Sequence, residues 1–181
     1  MGEVDETKIT EIDYEGMKFC LSRSPRPTTF PTFVDEWRAR NVTAICRACE
    51  ALVEDREMKK AFREANIVDL EMPDGTAPSS EIVQKWLECL VSVYGAPKDR
   101  KKMAKKGDKL PGDGQSVAIY CVAGLGRSAL LVCIALIEYG MGDYQEVIMF
   151  MKEKRADLLN EKQLEYLKNY KKMLKGGCIV M

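Results

Sequence analysis

Histidine is absent from all 181 residues, and that gap removes several reaction classes at once. No Ser-His-Asp relay, no Cys-His pair and no histidine-ligated metal can be built from this chain. Net charge is missing too. The 28 Lys and Arg balance 28 Asp and Glu, so no overall field draws the protein toward nucleic acid. No apolar run approaches the roughly 20 residues of a membrane-spanning helix; the longest, 129–137, reads as a core helix. The N-terminus lacks the succession of a signal peptide. Seven cysteines (20, 46, 49, 89, 121, 133 and 178) show no zinc-ligand spacing, and their odd number sits poorly with a secreted disulfide framework. A reducing, cytosolic compartment follows as the expectation.

What the chain does contain is concentrated in Val117 to Leu131. The apolar run Val117-Ala118-Ile119-Tyr120 reads as a buried strand ending at Cys121. Two glycines, Gly124 and Gly126, mark a short loop, and Arg127-Ser128 opens an almost wholly apolar helix. Strand, glycine loop and helix N-terminus together make an anion site, because unpaired backbone N–H groups and the helix dipole both favour negative charge. The same features favour the thiolate of Cys121. Val122, Ala123, Gly124, Leu125 and Gly126 then form the phosphate cradle, and Arg127 grips two oxygens with its planar fork. Ser128 is placed to donate a hydrogen bond to the sulfur. The pattern is that of a phosphatase working through a phosphocysteine, with no metal or organic cofactor; the plain alternative is a buried structural cysteine beside a turn.

Cys121-Val-Ala-Gly-Leu-Gly-Arg127 resembles the signature loop of the phosphatases of regenerating liver, the prenylated tyrosine phosphatases of class IVA. The similarity runs from about Met17 to Lys172, and the chain end, Cys178-Ile-Val-Met181, fits as well. The resemblance implies an α/β fold, the compact tyrosine and dual-specificity phosphatase architecture, with a mainly parallel central sheet flanked by helices. It implies that Asp74, in Met72-Pro73-Asp74-Gly75-Thr76, is the general acid of a mobile loop. It implies that Cys49 can form a disulfide with Cys121; the residues alone leave Cys49 equally readable as an inert core thiol. Partners implied are phosphotyrosine, phosphoserine or phosphothreonine proteins or a phosphoinositide, and cyclin M-type magnesium-transport mediators bound at the catalytic face. On that second reading the protein is a weakly active binding module. Three positions depart from the family: Tyr120 stands where histidine is usual, Leu70 and Glu71 replace a tryptophan and a proline, and Ser128 occupies a position that is often alanine.

The remaining chain reads as alternating short elements. Strands are expected at Met17–Leu21, Val42–Cys46 and 67–70, the second of them delivering Arg47, Cys49 and Glu50 to the sheet's C-terminal edge. Helices are expected at Thr28–Ala39, Glu54–Ala65, from a Ser79 or Ser80 cap to about Val91, at Tyr144–Leu158 and at Glu161–Leu174. Residues 1–16, with six acids against Lys8, are read as a flexible lead-in to a domain over 17–174. The stretch 96–115 is read as a solvated loop insertion; its segment 98–109 carries seven bases against two acids, and it is either plain surface or a contact for anionic lipid or an acidic partner.

Residues 175–181 are read as a flexible prenylation tail. Cys178 heads a C-a-a-X box whose terminal methionine favours farnesyl, making farnesyltransferase a partner and carboxyl methylation the usual sequel. One lipid chain anchors weakly, and Lys168, Lys171, Lys172 and Lys175 supply the second signal on an anionic membrane surface. The expected location is the cytosolic face of plasma or endosomal membranes, with a cytoplasmic pool.

Overall fold

Thr10–Tyr14 forms β1 and Met17–Arg23 forms β2, an antiparallel hairpin. Its turn runs through Glu15 and Gly16, both at positive φ, and the Gly16 N–H donates to Asp13 Oδ1 at 3.1 Å. The lead-in read as flexible is therefore partly a sheet strand. Its charged residues alternate with Ile12, which is 1% exposed and faces the core, so alternation outweighs acidity here. The computed structural model describes residues 7–156, 158–175 and 178–179.

Helices and strands then alternate: α1 (Phe30–Ala39), β3 (Val42–Arg47), α2 (Asp55–Ala61), β4 (Asn66–Asp69), α3 (Ser80–Tyr94), α4 (Pro97–Lys106), β5 (Ser116–Cys121), α5 (Arg127–Tyr139), α6 (Tyr144–Lys154) and α7 (Glu161–Lys168). The strands order as β1-β2-β5-β3-β4, parallel throughout except for β1. β5 lies at the centre and is buried at every position, which is why it reads as a continuous apolar run. In register with it, Arg23 of β2 stands beside Cys121 and Arg47 of β3 beside Tyr120. All parallel strands thus deliver their last residues to one edge.

α5 is the central helix, buried at each of its 13 positions, and every large aliphatic side chain so enclosed contributes about 1.5–3 kcal/mol. Trp86 of α3 donates its indole N–H to the Leu131 carbonyl of α5 at 2.7 Å. At the helix's far end, buried Glu138 accepts hydrogen bonds from Tyr170 Oη (2.6 Å) and from the backbone N–H groups of Met173 (2.6 Å) and Leu174 (3.1 Å).

Over 96–115 the loop expectation gives way to α4. Pro97 sits in the first turn, Gly107 caps the end at φ +72°, and the Lys, Met and Ala residues between are good helix formers. Arg100 is buried beneath it, donating to the carbonyls of Tyr94, Pro111 and Glu15. Leu174–Lys175 and Cys178–Ile179 pair as the antiparallel strands β6 and β7, because paired backbone groups satisfy one another locally. The thiol of Cys178, the ammonium of Lys175, and Val180 and Met181 lie outside the described residues.

Candidate active site

The site begins where β5 stops. Cys121 is 2% exposed at the strand's end, and the 122–126 loop carries the chain to the N-terminus of α5. The loop is pressed onto the end of β2. A Cβ on Gly124, at φ +68°, would sit 2.5 Å from the carbonyl carbon of Ser22, so only glycine fits. Val122 is exposed at the rim.

Around the sulfur, Ser128 Oγ donates to Cys121 Sγ at 3.1 Å, as its position one residue into the helix allows. The thiol itself donates to the Leu125 carbonyl at 2.7 Å. The adjoining Gly126 N–H points to the Leu158 carbonyl at 2.6 Å. The expected ring of inward N–H groups is therefore interrupted at the Leu125–Gly126 peptide. In the thiol form a carbonyl faces sulfur, because the S–H needs an acceptor and the N–H has found one elsewhere.

Arg127 is 5% exposed. Its Nη2 pairs with Asp74 Oδ1 at 3.2 Å and its Nη1 with Glu50 Oε2 at 3.6 Å, while Nη1 also donates to the Met72 carbonyl at 3.1 Å. Nε is buried without a hydrogen-bond partner among the described residues. A buried guanidinium N–H beside the anion cradle is a donor that a phosphate oxygen can satisfy.

Asp74 sits on the expected loop after β4. Thr76 steadies the turn by donating through its hydroxyl to the Pro73 carbonyl at 2.7 Å. The loop's entry is fixed where the family's tryptophan and proline are missing: Leu70 is buried, and Glu71 pairs with Arg47 at 3.1 Å. Its exit is held by two residues that sequence reasoning passed over. Asn160 donates to the Gly75 carbonyl at 3.1 Å and buried Gln163 to the Thr76 carbonyl at 3.3 Å. The same two side chains form the capping box of α7, and the Asn-x-x-Gln spacing ahead of an apolar stripe was the available signal. Asp74, Cys121, Arg127, Asn160 and Gln163 line a cleft of about 380 Å³.

Cys49 is buried at the edge of this cluster. Burial pushes its thiol up to about 11, opposed by Ser24 and Arg127. Cys49 is thus a protonated thiol at neutral pH. A second thiol pair went unnoticed in the sequence: Cys46 and Cys89 lie 3.6 Å apart, sulfur to sulfur, in the core. Tyr120 stacks on Trp37 with ring centroids 5.8 Å apart. Where the family's histidine organises the loop, this chain places a packing residue.

Lys168, Lys171 and Lys172 are exposed, and Lys168 pairs with Glu165 at 3.9 Å; none of the three belongs to the cleft. Among the described residues no cluster of metal-binding type occurs, and no helix is long and apolar enough to cross a membrane.

No protein-family model matches the chain. Among curated proteins, "Protein tyrosine phosphatase type IVA 3" of Mus musculus is 32% identical over 172 residues, covering 94% of this chain and 88% of the relative. "Probable protein tyrosine phosphatase type IVA B" of Dictyostelium discoideum is 35% identical over 172 residues, covering 95% and 94%. Among solved structures, a putative protein tyrosine phosphatase from Leishmania major superposes with a TM-score of 0.73 at 25% identity, over 91% of this chain and 99% of that one. PTPMT1, in complex with PI(5)P, shares the fold with a TM-score of 0.59 at 22% identity, over 83% and 87%. Similarity that spans nearly the whole chain, over a phosphatase fold with the cysteine at the centre of its sheet edge, leads to one conclusion: the protein belongs to the type IVA protein tyrosine phosphatases and is a cysteine-dependent phosphatase.

Proposed function

We propose that the protein hydrolyses phosphate monoesters through a phosphocysteine on Cys121. The observation that carries this is the meeting of four side chains at one sheet edge: Ser128 on the sulfur at 3.1 Å, and Asp74 on Arg127 at 3.2 Å. Substrate phosphate draws Arg127 from Asp74 and Glu50 onto two equatorial oxygens, satisfying Nε. The Leu125–Gly126 peptide turns its N–H inward and releases the Leu158 carbonyl. Cys121 thiolate attacks phosphorus, forming the S–P bond as the ester P–O bond breaks, and Asp74 gives its proton to the leaving oxygen. Water then attacks the phosphocysteine, Asp74 takes the water's proton, and the S–P bond breaks to return thiolate, steadied by Ser128. Val122, Ala123, Gly124, Leu125 and Gly126 line the phosphate through their backbone. The test is turnover of an aryl phosphate by the Cys121→Ser protein. None is expected, and ordinary turnover would refute the assignment.

Phosphoproteins and phosphoinositides are the substrate classes this cleft suits, and PTPMT1, of the same fold, is seen with PI(5)P. One observation also favours the second reading, a slow enzyme that serves as a binding module for an acidic loop of a transport mediator. In this structure Arg127 is already engaged by carboxylates and the signature peptide is turned. Steady-state turnover limited by a long-lived phosphocysteine would support that reading.

The Cys49–Cys121 pair is proposed as a redox clasp: peroxide converts the Cys121 thiolate to sulfenic acid, and the Cys49 thiol displaces water to form the disulfide. Anchoring is proposed through farnesylation of Cys178, with Lys168, Lys171, Lys172 and Lys175 on the anionic leaflet of the cytosolic membrane face. Intact mass from eukaryotic cells tests it; an unmodified chain ending in Met181 would end that part of the proposal.

A further inference from the structure

α4 presents five lysines on one side. Lys98, Lys101, Lys102, Lys105 and Lys106 fall within about 140° of helix arc, and all five are exposed. None is ion-paired to a described residue. Asp99, the one acid of the helix, sits at the border of that arc. Arg100, on the opposite side, is buried and donates to the Tyr94, Pro111 and Glu15 carbonyls. A single buried cation thus fixes the helix, and the five lysines lie on its exposed side, Lys101 folded back over Gly140.

The position of the helix matters as much as its charge. Glu15 lies in the β1–β2 turn, at the start of β2, so α4 covers the N-terminal edge of the parallel strands. The Lys101 side chain lies over Gly140, where an added Cβ would come 3.2 Å from Nζ, and Tyr139 donates to the Gly95 carbonyl at 2.9 Å. Both contacts are at the last turn of α5, whose first turn carries Arg127 and Ser128. Glu138, in that same last turn, holds Tyr170, Met173 and Leu174. The exposed Lys171 and Lys172 are therefore fastened at the same end of the molecule. A helix of 13 residues separates this end from the catalytic cleft by about 20 Å.

We infer that the lysine face of α4, with Lys171 and Lys172, is a docking surface for an anionic lipid bilayer that leaves the catalytic cleft facing solvent, an orientation that favours phosphoproteins over phosphoinositides of the same bilayer as substrates. An extended, rigid row of ammonium groups suits a surface of diffuse negative charge, since lysine acts as a point charge and needs no matched fork. The site goes beyond any lipid anchor: it lies in the folded body and acts without prenylation.

The test uses the full unprenylated chain and vesicles of phosphatidylcholine with or without phosphatidylserine, separated by sedimentation. Wild-type protein should bind only the phosphatidylserine vesicles and release as salt is raised. Each lysine is worth roughly fivefold in binding, so the variant Lys98→Gln, Lys101→Gln, Lys102→Gln, Lys105→Gln, Lys106→Gln should lose on the order of a thousandfold. An unchanged thermal midpoint shows the variant to be folded, and the double variant Lys102→Gln, Lys105→Gln should lose more than about tenfold should the larger one unfold. Equal binding by variant and wild type, or no wild-type binding to phosphatidylserine, overturns the inference; binding to polyglutamate but not to vesicles overturns it in favour of an acidic protein. The placement of the cleft rests on the phosphatase reading and has its own readout. Vesicle-bound protein should hydrolyse a soluble aryl phosphate as fast as free protein, and inhibition on binding refutes the placement. Absence of turnover in free protein counts against the phosphatase reading and leaves the sedimentation result to decide the docking surface.

Discussion

The two ends of α5 both bury charge, and they treat it in opposite ways. At the far end Glu138 accepts three hydrogen bonds and Arg100 donates to three carbonyls. Each of these two buried ions is held by three hydrogen bonds from within the fold, as stability requires of a buried ion. At the near end Arg127 is equally buried, yet its Nε has no hydrogen-bond partner among the described residues, and its ion pairs go to carboxylates that are 59% and 89% exposed. The ions of the far end are closed by partners within the fold, whereas Arg127 is held in part by exposed carboxylates that a phosphate can displace.

The largest effects should come from the open end. Cys121→Ser should remove turnover with little change in thermal midpoint, since the swap is nearly isosteric. Arg127→Lys should cost about 10²–10³-fold in kcat, the loss typical of one preorganised oxyanion donor. If Arg127→Lys instead left kcat intact and lowered the melting point, Arg127 would belong with the structural ions of the far end.

Asp74→Asn comes next. The loss should reach ~10²–10⁴-fold for alkyl or unactivated aryl phosphates and be far smaller for nitrophenyl phosphate, whose leaving group needs no proton. An equal loss on both would remove Asp74 from acid catalysis. Asn160→Ala and Gln163→Ala should move in the same direction by a smaller factor, since they hold the loop that carries Asp74; a loss equal for both kinds of leaving group would make them merely structural.

Glu138→Ala should invert the pattern. It strands a tyrosine hydroxyl and two N–H groups, each costing roughly 1–3 kcal/mol where it stays buried, so the thermal midpoint should fall while kcat on aryl phosphate holds. A drop in kcat with no change in midpoint would break the division drawn between the two ends.

Peroxide treatment sharpens the contrast among the thiols. Cys121, which lines the cleft, should be oxidised first and recovered by peptide mapping as a disulfide with the buried Cys49, and the core pair Cys46 and Cys89 should stay reduced despite its 3.6 Å separation, because both are enclosed in the core away from the cleft. Recovery of a Cys46–Cys89 disulfide with Cys49 free would reject the clasp.

Local pattern carried most of what is near the cleft. The apolar run, the paired glycines and the Arg-Ser start of α5 sit within 12 residues of one another, so the signature loop and the central strand were legible from 117–128 alone. What was not legible rests on distance along the chain. Gln163 meets Thr76 across 87 residues, and Arg100 meets Glu15 across 85; no periodicity announces either. The misreading of α4 has another cause. Lysine density suggested a loop, whereas Pro97 at the start and Gly107 at the end were helix punctuation. The turned Leu125–Gly126 peptide lay beyond reach for a third reason, since glycine permits both orientations and the choice depends on the Leu158 carbonyl, 32 residues downstream of Gly126.

Most direct of all is a rapid acid quench of wild-type protein mixed with a radiolabelled phosphate ester, followed by peptide mapping at acid pH. The label should appear on the peptide containing Cys121 within the first turnover and vanish as product forms, persisting longer in the Ser128→Ala protein. Turnover at the normal rate with no labelled Cys121 peptide, or with the label on another residue, would contradict the account at its centre.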